Sequence, residues 1–152
     1  MLSVQLAAVE LLHRRAATDH GPPITSHFPM PHPTSIKLRT RSRVLDVTFD
    51  DGGHFELPFE YLRVYSPSAE VRGHGQGQET LQLGKHEVRV TSVEPVGHYA
   101  LKLVFDDGHD TGLYTWAYLK ELGETRAIKW QQYLDRINDL GIPYPTLGVK
   151  PT

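Results

Sequence analysis

Two stretches near the middle of the first half of the chain alternate apolar and polar residues. Ile36 and Leu38 alternate with polar neighbours in SIKLRT, and RVLDVTF places Leu45, Val47 and Phe49 on one face. A period of two predicts strands with one buried face. The turn DDGG at 50–53 leads to a short strand, HFEL, because glycine and aspartate tolerate positive φ. Pro58 is then predicted to open a helix through FEYLRVY.

A second cluster of strands follows in HEVRVTSVEPV and YALKLVF. Its apolar positions are Val88, Val90, Val93, Leu101, Leu103 and Phe105. After the turn DDGHDTG, LYTWAYLKELG is predicted to form a short helix closed by Gly123. Residues 124–140 predict a longer helix that Gly141 ends, either packed on the domain or extending from it. Its apolar stripe is Ile128, Tyr133, Leu134, Ile137 and Leu140.

The chain repeats itself: FDDGGHFELPFEYL at 49–62 matches FDDGHDTGLYTWAYL at 105–119. Each copy has a strand, an FDDG turn, a short strand and an aromatic-rich helix with Tyr-Leu. Two such units predict a small single domain of the α+β class with short, mainly antiparallel strands and a C-terminal helix. We assign residues 1–33 to an N-terminal extension and proline-rich linker, 34–123 to the domain, and 124–152 to the C-terminal helix and tail.

Composition narrows the function classes. The 152 residues carry a net charge of −2, so no basic field indicates nucleic acid. No apolar run is long enough for a membrane span. Cysteine is absent, which excludes disulfides and thiolate metal sites and fits a reducing, cytoplasmic compartment. Nine histidines leave metal binding or pH sensing open.

Motifs of known chemistry are missing. GHGQG at 73–77 lacks the ending and the spacing of a phosphate loop, so we interpret it as flexible loop. No Gly-x-Ser-x-Gly elbow supports Ser66 or Ser68 as a nucleophile. We therefore expect no enzyme activity from this chain.

His109 is the sharpest candidate for a site. It lies next to Asp110 and two residues after Asp107, and a carboxylate beside an imidazole can fix its tautomer and raise its basicity. If the two FDDG units pack together, His109 meets the 66–75 loop. Two interpretations remain open. One is a hydrogen-bonded structural closure with Ser66 or Ser68 near His109. The other is a site for iron, manganese or zinc, whose ligands would be His109, His74 and Glu70.

The motifs resemble a known family. FDDG-x-x-F-x-L-P-x-E-Y-LRV-x-SPSAEV-x-GHG, then EPVG-x-YA and FDDGHDTG-x-YTW-x-YL, are similar to the gamma-butyrobetaine hydroxylase-like N-terminal domain, over about residues 34–123. The chain looks like a stand-alone bacterial version. The family positions singled out are Arg63, Asp107, Gly108, Asp110 and Trp116.

The resemblance has implications for activity and partners. In the hydroxylases this domain precedes an iron(II)- and 2-oxoglutarate-dependent oxygenase domain, for which too little chain follows Gly123, so that activity is not transferred. The domain is also appended to P-loop ATPases that carry iron–sulfur clusters. The resemblance thus implies a non-catalytic accessory module that contacts another protein, such as an iron–sulfur carrier ATPase or an iron enzyme.

The resemblance also bears on metal. The hydroxylases bind a structural zinc through Cys-x-Cys-x-x-Cys after a Leu-Arg pair, plus a later histidine. The cysteine positions fall here on Ser66, Ser68 and Val71, and the histidine on His109. We predict that this zinc site is lost. The alternative function is a metal-binding protein centred on His109.

Overall fold

The computed structural model describes residues 30–73 and 80–144, which form two three-stranded antiparallel sheets with helices. The strands are β1 Pro33–Arg39, β2 Val44–Phe49, β3 His54–Pro58, β4 Val90–Val96, β5 Ala100–Phe105 and β6 Leu113–Thr115. The helices are α1 Phe59–Val64, α2 Ala69–Arg72, α3 Trp116–Glu124 and α4 Arg126–Asp139. The predicted α+β class is confirmed. The predicted segments 1–29 and 145–152, and His74, lie outside the described residues.

Each sheet runs in chain order, β1-β2-β3 and β4-β5-β6, and a helix follows each third strand. The predicted inward faces are confirmed, since Leu45, Val47, Leu101 and Leu103 are all fully buried. The apolar faces of both sheets contribute to one core. No helix in the described part of the chain is long and apolar enough to cross a membrane.

The repeat extends to irregularities of the backbone. The β1–β2 register shifts at Thr34, and the β4–β5 register shifts at Thr91. In both places an extra residue faces the partner strand, as in a β-bulge. Each threonine hydroxyl donates to a carbonyl of the partner strand, at 3.3 Å for Thr34 and 3.2 Å for Thr91. The bulge moves the alternation by one residue, which explains why Val93 rather than Ser92 continues the buried face of Val90.

The two FDDG turns also have the same geometry. Gly52 and Gly108 have φ of 91° and 92°, a conformation that favours glycine. Their N–H groups donate to the carbonyls of Phe49 and Phe105, at 3.0 and 3.1 Å. The next residue is Gly53 in the first turn and His109 in the second, so the turn itself does not require a histidine.

Two tyrosines join the repeat units reciprocally. Tyr61 of α1 donates its hydroxyl to the carbonyl of Leu122 in α3, at 2.6 Å. Tyr118 of α3 donates to the carbonyl of Tyr65 at the end of α1, at 2.7 Å. The two bonds are related by the same repeat, because each joins the tyrosine of one Tyr-Leu pair to a carbonyl near the end of the other helix. Each helix therefore has a carbonyl near its C-terminal end that accepts a hydrogen bond from a tyrosine of the other repeat unit.

Some predicted boundaries were wrong. Leu113–Thr115 forms β6 rather than helix, and α3 begins at Trp116 with Thr115 as its N-cap. Gly123 lies inside α3, which continues to Glu124. Pro58 ends β3 and precedes the first helical residue. Tertiary pairing accounts for β6, because the edge of β5 provides a partner for three residues with a weak pattern of their own.

The C-terminal helix docks on the domain, but not through the whole predicted stripe. Tyr133 and Ile137 are buried, and Trp130 packs against Tyr61 with ring centroids 6.1 Å apart. Ile128 and Leu140 are 63 % and 62 % exposed. Ile128 is off the face centred on the buried pair, and Leu140 lies beyond the last helical residue, so neither reaches the core.

Gly123 generates a prediction that opposes helix propensity. A Cβ added there would lie 2.4 Å from Cγ of Phe55, so the ring must move. Gly123→Ala should gain about 1 kcal/mol from helix propensity but lose about 1–3 kcal/mol to overpacking. We expect net destabilisation in chemical denaturation. In a Phe55→Ala background the same change should stabilise, and stabilisation by Gly123→Ala alone would contradict this packing.

Candidate functional site

The segment between α1 and α2 forms one half of the site. Tyr65 ends α1, and Ser68 caps α2 by accepting the N–H of Glu70 at 3.1 Å. Serine is favoured at this position because its hydroxyl satisfies an otherwise unpaired helical N–H. The Ser68 hydroxyl also lies 2.8 Å from the hydroxyl of Thr111, which follows the second FDDG turn. The segment is thereby tied to the second repeat unit.

His109 makes the central connection through both ring nitrogens. Nε2 lies 2.8 Å from the Ser66 hydroxyl, and Nδ1 lies 3.2 Å from a carboxylate oxygen of Glu70. In the neutral ring these partners assign the tautomer: Nδ1–H donates to Glu70, and Nε2 accepts the Ser66 O–H. His109 is 6 % exposed and Ser66 1 % exposed, so the hydroxyl–imidazole bond is buried.

The surroundings of His109 favour the neutral ring. Burial lowers the pKa of His109, and the nearby charge of Arg63 lowers it further. Glu70 and Asp107 act in the opposite direction without reversing the shift. A neutral imidazole is the form that both donates and accepts, as the contacts with Glu70 and Ser66 require.

Asp107 holds a second set of contacts beside His109. It accepts hydrogen bonds from Nε of Arg63 at 3.0 Å and from Nζ of Lys85 at 2.7 Å. Burial acts to raise the pKa of Asp107, but the bonds from Lys85, the His109 N–H and Arg63 lower it to about 2. The carboxylate is thus charged at neutral pH and connects α1, the approach to β4 and the second turn.

Close approach of the two segments depends on Gly112. A Cβ at this position would lie 2.4 Å from the Ser66 hydroxyl oxygen. Ser66 and His109 were predicted from the sequence, whereas Gly112, Thr111 and Lys85 were not. The sequence signal was Gly112 itself, because the corresponding position of the first repeat unit, FDDGGHFELPFEYL, is not glycine.

The other residues predicted as site or family-motif positions have separate structural roles. Gly108 forms the turn, Asp110 is exposed, and Trp116 is a buried core residue whose indole N–H donates to the carbonyl of His98 at 3.0 Å. Glu70 reaches His109 although its side chain is 67 % exposed. The role of this set as a metal or structural site stays a prediction.

The residues at the positions of the hydroxylase zinc ligands do not form a donor set for structural zinc. The positions are occupied by the hydroxyls of Ser66 and Ser68, the apolar side chain of Val71 and one imidazole. Structural zinc is bound by thiolate and imidazole ligands in a closed tetrahedron. Here one position has no ligand atom, and the Ser66 hydroxyl already bonds to His109.

Ser66, His109 and Glu70 have the connectivity of a nucleophile, a base and an orienting carboxylate. Ser66 is 1 % exposed, and its hydroxyl oxygen lies 3.2 Å from the Ser68 N–H that it accepts. The Ser66 hydroxyl is thus engaged with both His109 and the Ser68 N–H in this arrangement.

A separate group of possible ligands lies on the first sheet. Asp46, His54 and Glu56 have ligand atoms within 4.8 Å of one another. One oxygen of Asp46 lies 2.8 Å from Nε2 of His54, and the other accepts from Nε of Arg39 at 3.0 Å. Burial acts to raise the pKa of Asp46, but the bonds to His54 and Arg39 lower it. A guanidinium on this carboxylate indicates an ion pair.

Beside the network lies a cleft of about 570 Å³, which we call the tyrosine cleft after Tyr65, Tyr118 and Tyr133 in its wall. Ser66 and Val71 line it on the side of the α1–α2 segment. Its charged lining residues are Arg72, Lys129 and Arg136. The His109 network therefore holds in place one wall of a cleft to which α3 and α4 also contribute. This cleft was not predicted from the sequence.

The fold defines a small α+β domain with two repeated hairpin–helix units and no motif of known catalytic chemistry. The chain belongs to the gamma-butyrobetaine hydroxylase-like N-terminal family, whose model matches residues 36–120. The resemblance stated from the sequence is confirmed. No curated protein matches the chain.

Solved structures of related proteins are similar to this chain in sequence and fold. One is a crystal structure of a protein of unknown function in the DUF971 family from Acidithiobacillus ferrooxidans ATCC 23270, with 43 % identity and a TM-score of 0.51. The match covers 60 % of this chain and 91 % of that one. Two NMR solution structures are 45 % and 44 % identical, each with a TM-score of 0.67. They cover 80 % and 82 % of this chain, and 90 % and 98 % of their own.

The lowered pKa of His109 predicts how stability depends on pH. The unfolded chain binds a proton on this residue at a higher pH than the folded chain does, so acidification favours unfolding. The stabilisation that neutral His109 provides should be fully present above about pH 6.5, the ordinary pKa of histidine. It should decrease as the pH drops below that value and through the lower pKa of the folded state. In denaturant titrations between about pH 8 and pH 5, the excess stability of wild type over His109→Gln should shrink by at most about 1.4 kcal/mol per pH unit.

Comparing the two proteins removes contributions from other titrating groups, such as Glu60, whose pKa burial raises. Glu70→Gln serves as a second variant. Because the charge of Glu70 raises the pKa of His109, its removal lowers the folded-state pKa further, so the loss of stability should extend to lower pH. A stability difference that stays constant or grows on acidification would contradict a neutral buried ring.

Proposed function

We propose that the chain is a non-catalytic accessory module that binds another protein through the tyrosine cleft, with the Ser66–His109–Glu70 network as the closure of one cleft wall. The observation that carries this proposal is the use of both nitrogens of His109 by protein groups. No ring lone pair is left for a metal in this arrangement, since one nitrogen carries the proton and the other accepts the serine hydroxyl.

The volume and the lining of the tyrosine cleft suit a binding role. Its volume of about 570 Å³ is within the range of about 300–1,000 Å³ typical of ligand pockets. Its wall combines aromatic side chains with a few cations. Tyrosine and arginine are the residue types enriched where binding energy is concentrated.

We also propose what kind of partner the module binds and in which compartment. The family resemblance associates this domain with iron–sulfur carrier ATPases and iron enzymes, and we propose a partner from that group. The absence of cysteine supports a cytoplasmic setting, because thiols are not needed there for disulfide stapling. We propose no role in nucleic-acid binding, given the net charge of −2.

Metal analysis distinguishes the closure from a metal site at His109. Untagged protein purified without chelator should contain only trace iron and zinc, as should His109→Ala. Chelator should leave the unfolding midpoint unchanged, because no metal contributes to folding. About one equivalent of either metal in wild type, lost in His109→Ala, would make the chain a metal-binding protein.

Site-specific cross-linking tests the interaction. A photoreactive phenylalanine analogue is placed at Gln132 in the cleft, or at the exposed Lys37 of β1 as a control, in cells that naturally contain the protein. We expect a specific protein adduct from position 132 and none from position 37. Absence of protein adducts at both positions would overturn the interaction function, and adducts at position 37 alone would assign it to another surface.

A further inference from the structure

The charged side chains among the described lining residues of the tyrosine cleft are all cations. Arg72, Lys129 and Arg136 line it, and no carboxylate is among its described lining residues. The whole chain has more acidic than basic residues, 18 against 16, so three cations together are not a consequence of composition. Cations gathered in a concave site with apolar walls attract anions more strongly than cations on a flat surface.

Two of the cations have no acidic partner in the part of the chain that the structure describes. Lys129 lies 3.5 Å from Glu121, whose side chain is 53 % exposed. Arg72 and Arg136 have no carboxylate within 4.0 Å among residues 30–73 and 80–144. Arg72 is instead held over the ring of Tyr118, at 5.0 Å from the ring centroid. These two guanidinium groups retain the capacity to pair with an anion.

The aromatic wall is fixed in position before any ligand arrives. Tyr65 donates its hydroxyl to the carbonyl of Lys129 at 2.7 Å, and Tyr133 donates to the carbonyl of Gln82 at 2.6 Å. Tyr118 donates to the carbonyl of Tyr65. Burial raises the pKa of Tyr65 and Tyr118, and raises that of Tyr133 to about 12, so all three stay neutral. The wall adds no negative charge, and a fixed wall lowers the entropic cost of binding.

We propose that the tyrosine cleft binds a carboxylate-rich segment of the partner protein. The two cations that have no carboxylate partner among the described residues are on different elements, Arg72 on α2 and Arg136 on α4, which suits carboxylates spaced along a chain. Amide side chains of Gln82 and Gln132 also line the cleft and can bond to the backbone of an extended segment. The inference rests on the proposed function and adds the chemistry of the partner.

The test is an NMR titration. Domains of this kind are suited to the method, because two of the similar structures were solved by NMR in solution. The ¹⁵N-labelled full chain is titrated with a capped Glu-Glu-Glu peptide, a capped Gln-Gln-Gln peptide and free glutarate. The acidic peptide should shift the amide signals of Gly73, Gln82 and Gln132, with a Kd on the order of 1 mM. Raising the salt from about 50 mM to about 500 mM should weaken the binding.

Charge-neutralising variants identify the residues responsible. Arg72→Gln and Arg136→Gln should each weaken binding of the acidic peptide about two- to fivefold, as expected for exposed ion pairs. Arg41→Gln removes an exposed cation in the β1–β2 turn, outside the cleft lining, and should leave binding unchanged. The spectrum of each variant reports at the same time whether it is folded.

Three results would overturn the inference: no shifts at the cleft, equal shifts with the Gln-Gln-Gln peptide, or glutarate binding as tightly as the acidic peptide. The last would assign the cleft to small organic acids. These failures are distinguishable from failure of the proposed function. A cross-link from position 132 to a segment without acidic residues would retain the protein interaction and reject only the acidic partner.

Discussion

The fold depends on the reciprocal contact between its two repeat units. Each three-stranded sheet has one apolar face and no core of its own, so the units are stable only when they cover each other. The hydroxyls of Tyr61 and Tyr118 cross this junction in opposite directions and each satisfies a carbonyl of the other unit's helix region. A buried carbonyl without a partner is costly, so these bonds help to fix how the two halves meet.

The site arises where the repeat is broken. The two FDDG turns share φ angles and backbone hydrogen bonds, yet Gly53 in one corresponds to His109 in the other. In the first unit β3 begins directly after Gly53, whereas in the second unit residues 110–112 lie between His109 and β6. Gly112 in this segment allows Ser66 to approach. One half of a symmetric scaffold thus has a buried imidazole that holds the α1–α2 segment, while the other half only turns the chain.

The His109 network and the tyrosine cleft share the α1–α2 segment. Ser66 and Arg72 are six residues apart: one is bonded to His109, and the other extends a cation into the cleft. Arg63 and Lys85 neutralise Asp107 at the same junction, which leaves that carboxylate paired and outside the cleft. The charges of the interior networks are paired with each other, whereas the described lining residues of the cleft include three cations and no carboxylate. The interior ion pairs and the described cations of the cleft therefore lie in different parts of the domain.

The sequence by itself determined the strands of both hairpins, the two FDDG turns, the repeat and the family, because alternation and glycine conformations are local properties that the surroundings did not override. Tertiary structure decided what depends on pairing across the chain. Leu113–Thr115 became a strand because β5 offered an edge, and Gly123 stayed inside a helix because Phe55 packs on it. The proximity of His109 and Ser66 was a hypothesis from the motifs, but Gly112, Lys85 and Thr111 could not be placed. The tyrosine cleft combines residues of four separate segments, so only the folded chain brings its cations together.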